Sequence, residues 1–141
     1  MPLASRSRSL GLIAVVAVAV GCSQQDPYRK VKVSGQVLYE DGEAIPVGSI
    51  AIRFDSTLPP VDAKTHPRPG FAFTDADGSF ASASTKGHDD GIVVGKHRVS
   101  LGVADGAPGA IPAVYQAPQT SPLEIDTAEL PLEIRIARPE A

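Results

Sequence analysis

Lys96-His97-Arg98-Val99-Ser100-Leu101-Gly102-Val103 is the stretch on which the architecture turns. His97, Val99, Leu101 and Val103 fall on one side of the alternation; Lys96, Arg98 and Ser100 fall on the other. A period of two sends successive side chains to opposite faces of an extended strand, so this segment reads as a strand with one apolar face. The pattern recurs in both directions. Upstream, Phe80 opens a strand after the turn Asp75-Ala76-Asp77-Gly78, Phe71 and Phe73 mark another, and Ile50, Ile52 and Phe54 alternate with Ala51 and Arg53. Val31, Val33, Val37 and Tyr39, with Gly35 in register, make the first strand, closed by Asp41-Gly42. Downstream, Leu123 and Ile125 are followed by Leu130, Leu132, Ile134 and Ile136, with Glu133 and Arg135 outside.

Seven candidate strands separated by turn residues, with no sustained helical period after residue 22, predict a single all-β sandwich or barrel. One buried face per strand favours two sheets packed face to face. The Phe and Tyr residues are expected inside with Val, Ile and Leu, except Tyr28, which is expected outside the core. Two proline-bearing stretches interrupt the strands. Residues 55–70 (Pro59, Pro60, Pro67, Pro69) are expected to be loose, and residues 105–122 to be pinned by Ile111, Val114 and Tyr115.

Composition narrows the function classes. Among 141 residues there are 13 glycines, 13 prolines, one cysteine and no tryptophan or asparagine. A lone cysteine excludes an intrachain disulfide framework and a thiolate-rich zinc site. Without asparagine there is no N-linked glycosylation sequence. A formal charge of -3 argues against nucleic acid, which is held by a cationic stripe.

The amino terminus reads as a targeting segment. Arg6 and Arg8 precede an apolar run from Leu10 to Val20, and no acid occurs before Asp26. The run is too short for a membrane-spanning helix, which needs about 20 residues, and has the layout of a secretory signal over 1–21. Its exit, Ala19-Val20-Gly21-Cys22, resembles the lipobox of bacterial lipoproteins, with Ala19 where leucine is usual. The resemblance implies lipidation of Cys22, a cell-envelope location facing the periplasm or exterior, and membrane attachment through that lipid. Residues 22–30 are expected to be a polar tether, 31–137 the domain and 138–141 a tail. Loss of 1–21 takes the formal charge from -3 to -5, so the domain is not expected to cling to anionic lipid through its own surface.

Three motifs in order resemble carboxypeptidase-regulatory-like domains: Val33-Ser-Gly-Gln-Val-Leu-Tyr-Glu-Asp-Gly-Glu-Ala-Ile-Pro-Val-Gly-Ser-Ile50, Thr74-Asp-Ala-Asp-Gly-Ser-Phe80, and Gly95-Lys-His-Arg-Val-Ser-Leu101. Ile111-Pro-Ala-Val-Tyr115, with Ser121 and Leu123, is similar to the tail of small planctomycete-type lipoproteins that carry this domain. The resemblance spans about residues 31–137. It implies a prealbumin-like (transthyretin-like) Greek-key β-sandwich of about seven strands, acting as a non-catalytic structural or protein-interaction module. The alternative is a module binding carbohydrate or another small ligand on loops 55–70 or 105–122. No catalytic residues and no cofactor are expected.

The chemistry-bearing residues support the bland reading. Asp75 and Asp77 begin like a calcium loop, but Lys86 stands at the twelfth position, where a bidentate acid is required. A turn is the better reading. His66, His88 and His97 lack the close spacing of metal ligands, and His97 takes the core register of its strand. Gly-x-Ser-x-Gly is absent. Adjacent carboxylates such as Asp89-Asp90 splay rather than converge on one substrate. Tyr39 and Tyr115 read as packing residues, not a sugar platform. Some related surface-adhesin domains carry a Lys–Asn isopeptide bond; here a Lys–Asp version would have to start from Lys30 or Lys32.

Overall fold

In the computed structural model, residues 27–140 are described; the expected signal segment 1–21, Cys22, residues 23–26 of the expected tether and Ala141 of the expected tail lie outside them. Within 27–140 the alternating segments form nine strands: β1 (Lys30–Val31), β2 (Gly35–Tyr39), β3 (Ser49–Ser56), β4 (Gly70–Phe73), β5 (Ser79–Phe80), β6 (Ile92–Val93), β7 (Lys96–Asp105), β8 (Leu123–Asp126) and β9 (Leu132–Ile136). Seven of them make two main sheets, in the orders β5-β2-β9 and β4-β3-β7-β8. These seven correspond to the segments read from the sequence. The other two, β1 and β6, pair with each other in a separate ribbon. The four-stranded sheet is antiparallel throughout, whereas β2 and β9 run parallel, Gly35 opposite Leu132 through Tyr39 opposite Ile136.

The fold is an all-β sandwich whose sheets close on one core. From one sheet come Val37, Tyr39, Phe80, Leu132, Ile134 and Ile136; from the other come Ile50, Ile52, Phe54, Ala72, Val99, Leu101 and Ile125. Phe54 and Phe80 meet across the interface, ring centroids 6.2 Å apart. Burying each aliphatic side chain is worth about 1.5–3 kcal/mol before conformational entropy is set against it.

Four expectations change. The segment Val31–Tyr39 is not one strand: the chain breaks at 32–34 so that β1 joins β6 while β2 enters the sandwich. Phe71 and Phe73 point outward, 42% and 67% exposed, while Gly70 and Ala72 face the core. The cause is crowding, since a Cβ on Gly70 would run into Ile92 and leaves room only for a hydrogen. Leu130 is exposed rather than strand-packed. Pro131 has no N–H to give the ladder, which begins with Leu132 N–H donating to Ser34 O at 2.8 Å.

The fourth change concerns the tether, whose last residues belong to the domain. Tyr28 is 9% exposed, and Lys30 sits in β1. Tyr28 lies outside the main core cluster, as expected, but it fastens the 55–70 stretch. Its hydroxyl donates to Pro59 O at 3.0 Å and accepts from Val61 N–H at 3.1 Å. Residues 105–122 are held as anticipated by Ile111 and Tyr115, whereas Val114, also expected to pin the stretch, is exposed. Two 3-10 turns, Pro108–Ala110 and Ala113–Tyr115, flank the buried Ile111. Tyr39 Oη donates to Ala110 O at 2.7 Å, and Tyr115 Oη accepts Ala137 N–H at 3.0 Å. At the other end Arg138 is tied down, its Nε 2.7 Å from Asp41 Oδ2 and its guanidinium over the Tyr39 ring.

Candidate functional site

The residues singled out for chemistry are spread through the sandwich, and most serve its backbone. Asp77 closes the β4–β5 turn: its Oδ1 accepts Ser79 N–H at 3.0 Å and Ser79 Oγ–H at 2.6 Å. Gly78 follows with φ +84°, a conformation that favours glycine. These hydrogen bonds hold the Asp77 carboxyl below the usual carboxylate range. This is the turn read from the sequence.

The three histidines do not meet. His66 and His88 are exposed, with His66 Nε2 3.2 Å from its neighbour Ala63 O. His97 is fully buried and edge-on to Phe54. Its Nε2 lies 2.6 Å from Val93 O, so the neutral ring carries its proton there, and Nδ1 is left without a partner. Burial pushes the His97 pKa down, partly opposed by the Val93 carbonyl. Among the described residues no group of three or more His, Cys, Asp or Glu side chains is placed to hold a metal.

Asp89 and Asp90 part company. Asp90 organises the 84–90 loop. Its carboxylate accepts Thr85 N–H at 2.7 Å, Thr85 Oγ–H at 2.9 Å, Lys86 N–H at 3.1 Å and Gly87 N–H at 2.9 Å, and it pairs with Lys30 Nζ at 3.0 Å. Burial works against the charge, but the Gly87 and Thr85 amides, Lys30 and the Thr85 hydroxyl outweigh it and hold Asp90 far below the usual range. An ionised carboxylate held by these donors is a poor acyl donor to an amine, so Lys30 and Asp90 meet as an ion pair. Asp89 stands 4.0 Å from Lys32 Nζ.

Two surface features have no such internal role. The first is the outer face of the four-stranded sheet near its β4 edge. Phe73 lies across from Ala51, and Ala51 across from Gly102; Phe71 lies across from Arg53, and Arg53 across from Ser100. Small neighbours leave the Phe73 ring standing clear. Arg53 covers Phe71 at 5.7 Å and is itself braced by Asp55, Nε to Oδ2 2.9 Å. Sequence reasoning placed both phenylalanines in the core, because Phe-x-Phe alternation does not say which face is inward.

The second is an open cleft of about 980 Å³ where Pro27 enters the domain, lined by Lys30, Lys64, His66, Arg68 and Lys86 together with Asp62. It is assembled from three separate segments, so no local motif announces it. Tyr39 and Tyr115, 2% and 8% exposed, are packing residues and offer no ring to a sugar.

No family model, no curated protein and no solved structure matches this chain.

Proposed function

We propose that this chain is a lipoprotein of the cell envelope, acylated on Cys22, that presents its sandwich as a non-catalytic protein-interaction module of the carboxypeptidase-regulatory-like kind. The observation that carries the interaction reading is the outward pair Phe71 and Phe73, 42% and 67% exposed on one sheet face. Large aromatic groups contribute little to the fold from there and are enriched where proteins meet. A non-catalytic role is supported by how the polar side chains are used: His97 lies under the sheet, Asp77 in a turn, and Asp90 at the centre of a loop. The membrane reading rests on the sequence around Cys22.

Two measurements test the reading separately. Metabolic labelling with a palmitate analogue should mark the wild-type chain and not Cys22→Ala, and the variant should leave the membrane fraction. An unlabelled wild-type chain ends the lipoprotein reading. A photo-crosslinking residue at position 73 should give a discrete adduct in cells, and one at position 124, on an exposed part of β8, should not. Equal, diffuse adducts at both positions end the interaction reading.

A further inference from the structure

We propose that the cationic cleft beside Pro27 docks the domain on the anionic phospholipid headgroups of the membrane into which its own anchor inserts. The proposal rests on the reading of Cys22 as lipidated. Its structural basis is a segregation of charge that the net value hides. The chain carries -3 overall, yet among the described residues this one cleft gathers Lys64, Arg68 and Lys86, beside the Lys30–Asp90 pair, against the lining carboxylate Asp62.

The described carboxylates nearby, Asp62 and Asp90, are already committed to the loops. Asp62 accepts Lys64 N–H at 2.8 Å through Oδ1 and Thr65 Oγ–H at 3.2 Å through Oδ2. Asp90 is saturated by the 84–90 loop and by Lys30. Lys64, Arg68 and Lys86 are exposed, and none makes an ion pair with a described carboxylate. The cluster is also held in place. Tyr28 bonds Pro59 and Val61 on one side, and the Lys30–Asp90 pair ties β1 to the 84–90 loop on the other.

Position commits the site to a lipid surface. Cys22 precedes Pro27 by a stretch of chain that spans at most about 18 Å when fully extended. A lipid on Cys22 therefore keeps Pro27, at the rim of the cleft, within about 18 Å of the headgroup layer, and a slack tether brings the cleft inside the Debye length of about 8 Å at physiological salt. Each Lys or Arg near an anionic surface strengthens attraction about fivefold. The acidic remainder of the domain is repelled, so the two effects together orient the sandwich cleft-down, tethered at one corner.

The test uses the full, natively processed chain reconstituted into vesicles of phosphatidylcholine alone or of equal parts phosphatidylcholine and phosphatidylglycerol, read by flotation and by amide hydrogen exchange. On anionic vesicles, exchange in 62–68 and 84–88 should slow about tenfold relative to neutral ones, while β4 is unchanged. High salt should abolish the difference, as should the combined variant Lys64→Glu, Arg68→Glu, Lys86→Glu, or its glutamine counterpart, with an unchanged melting curve. A chain that floats with both vesicles but exchanges identically on them overturns the docking and leaves the anchor standing. Protection reproduced by inorganic phosphate on neutral vesicles overturns it in favour of a soluble-anion site. Flotation with anionic vesicles alone, reversed by salt, upholds the cleft and removes the anchor; flotation with neither removes both.

Discussion

Gly78 sits directly against the Val37 backbone: its carbonyl accepts Val37 N–H at 2.9 Å, and a Cβ added to it would collide with the Val37 carbonyl oxygen. The β4–β5 turn is thus seated on the central strand of the smaller sheet.

Gly78→Val should therefore be among the most damaging single changes in the domain. It places a β-branched residue at φ +84° and forces the turn off β2. A loss of about 3 kcal/mol or more is expected. A thermal melt within a degree or two of wild type would show that β2 does not need this seat.

His97→Phe tests whether that side chain is a filler or a partner. Phenylalanine fits the apolar surroundings but leaves Val93 O without its donor, a cost of about 1–3 kcal/mol. The fold prefers the neutral ring, so the unfolded chain takes up the extra proton. The stability that His97 provides is complete above its ordinary pKa of about 6.5 and is withdrawn as the pH falls below it. Denaturant unfolding between about pH 7 and pH 5 should show a loss in wild type that is shallower in His97→Phe. Parallel slopes would remove His97 from the pH response.

Asp90→Ala should cost about 2 kcal/mol near neutral pH, by withdrawing the shared acceptor of the 84–90 loop and the partner of Lys30. The Asp90 pKa is depressed, so its contribution is present above the ordinary value of about 3.9 and disappears as the pH drops through the folded value. The gap between wild type and variant should close in strong acid. A gap that is the same at every pH would mean that the carboxylate charge is not what holds the loop.

Phe73→Ser should leave stability within about 0.5 kcal/mol of wild type, because the ring is exposed and stands opposite the small Ala51 across the sheet. The position-73 adduct proposed above should fail with a serine at the neighbouring Phe71. Destabilisation by several times that amount would assign these rings to the fold instead of to a partner.

Much of this architecture could be read from the amino acids. Strands such as β3, β7 and β9 announce themselves because each buries one face, and burial imposes alternation on the residues that supply it. β6 could not be found that way: Ile92 and Val93 are both buried, and Gly91 and Gly95 bracket them too closely for any period to develop. For β4 the period was legible but the phase was not. Whether Phe71 or Ala72 faces inward depends on Ile92 and Phe54, which fill the space over Gly70 and lie far away in sequence. The cationic cleft was invisible for the same reason, since Lys30, Lys64, Arg68 and Lys86 become neighbours only when three segments meet. The net charge, summed along the chain, averages such a site away.

The parallel union of β2 with β9 has a consequence for the order of assembly. A ribosome or a translocation channel releases the amino end first, so β2 emerges with one flank bare and keeps it bare until Leu132–Ile136 is free. Three side chains of the apolar interior, Leu132, Ile134 and Ile136, therefore arrive only after the other described strands have been made. A chain clipped before Leu132 would turn its middle strand into a sticky border, open to the next molecule that passes.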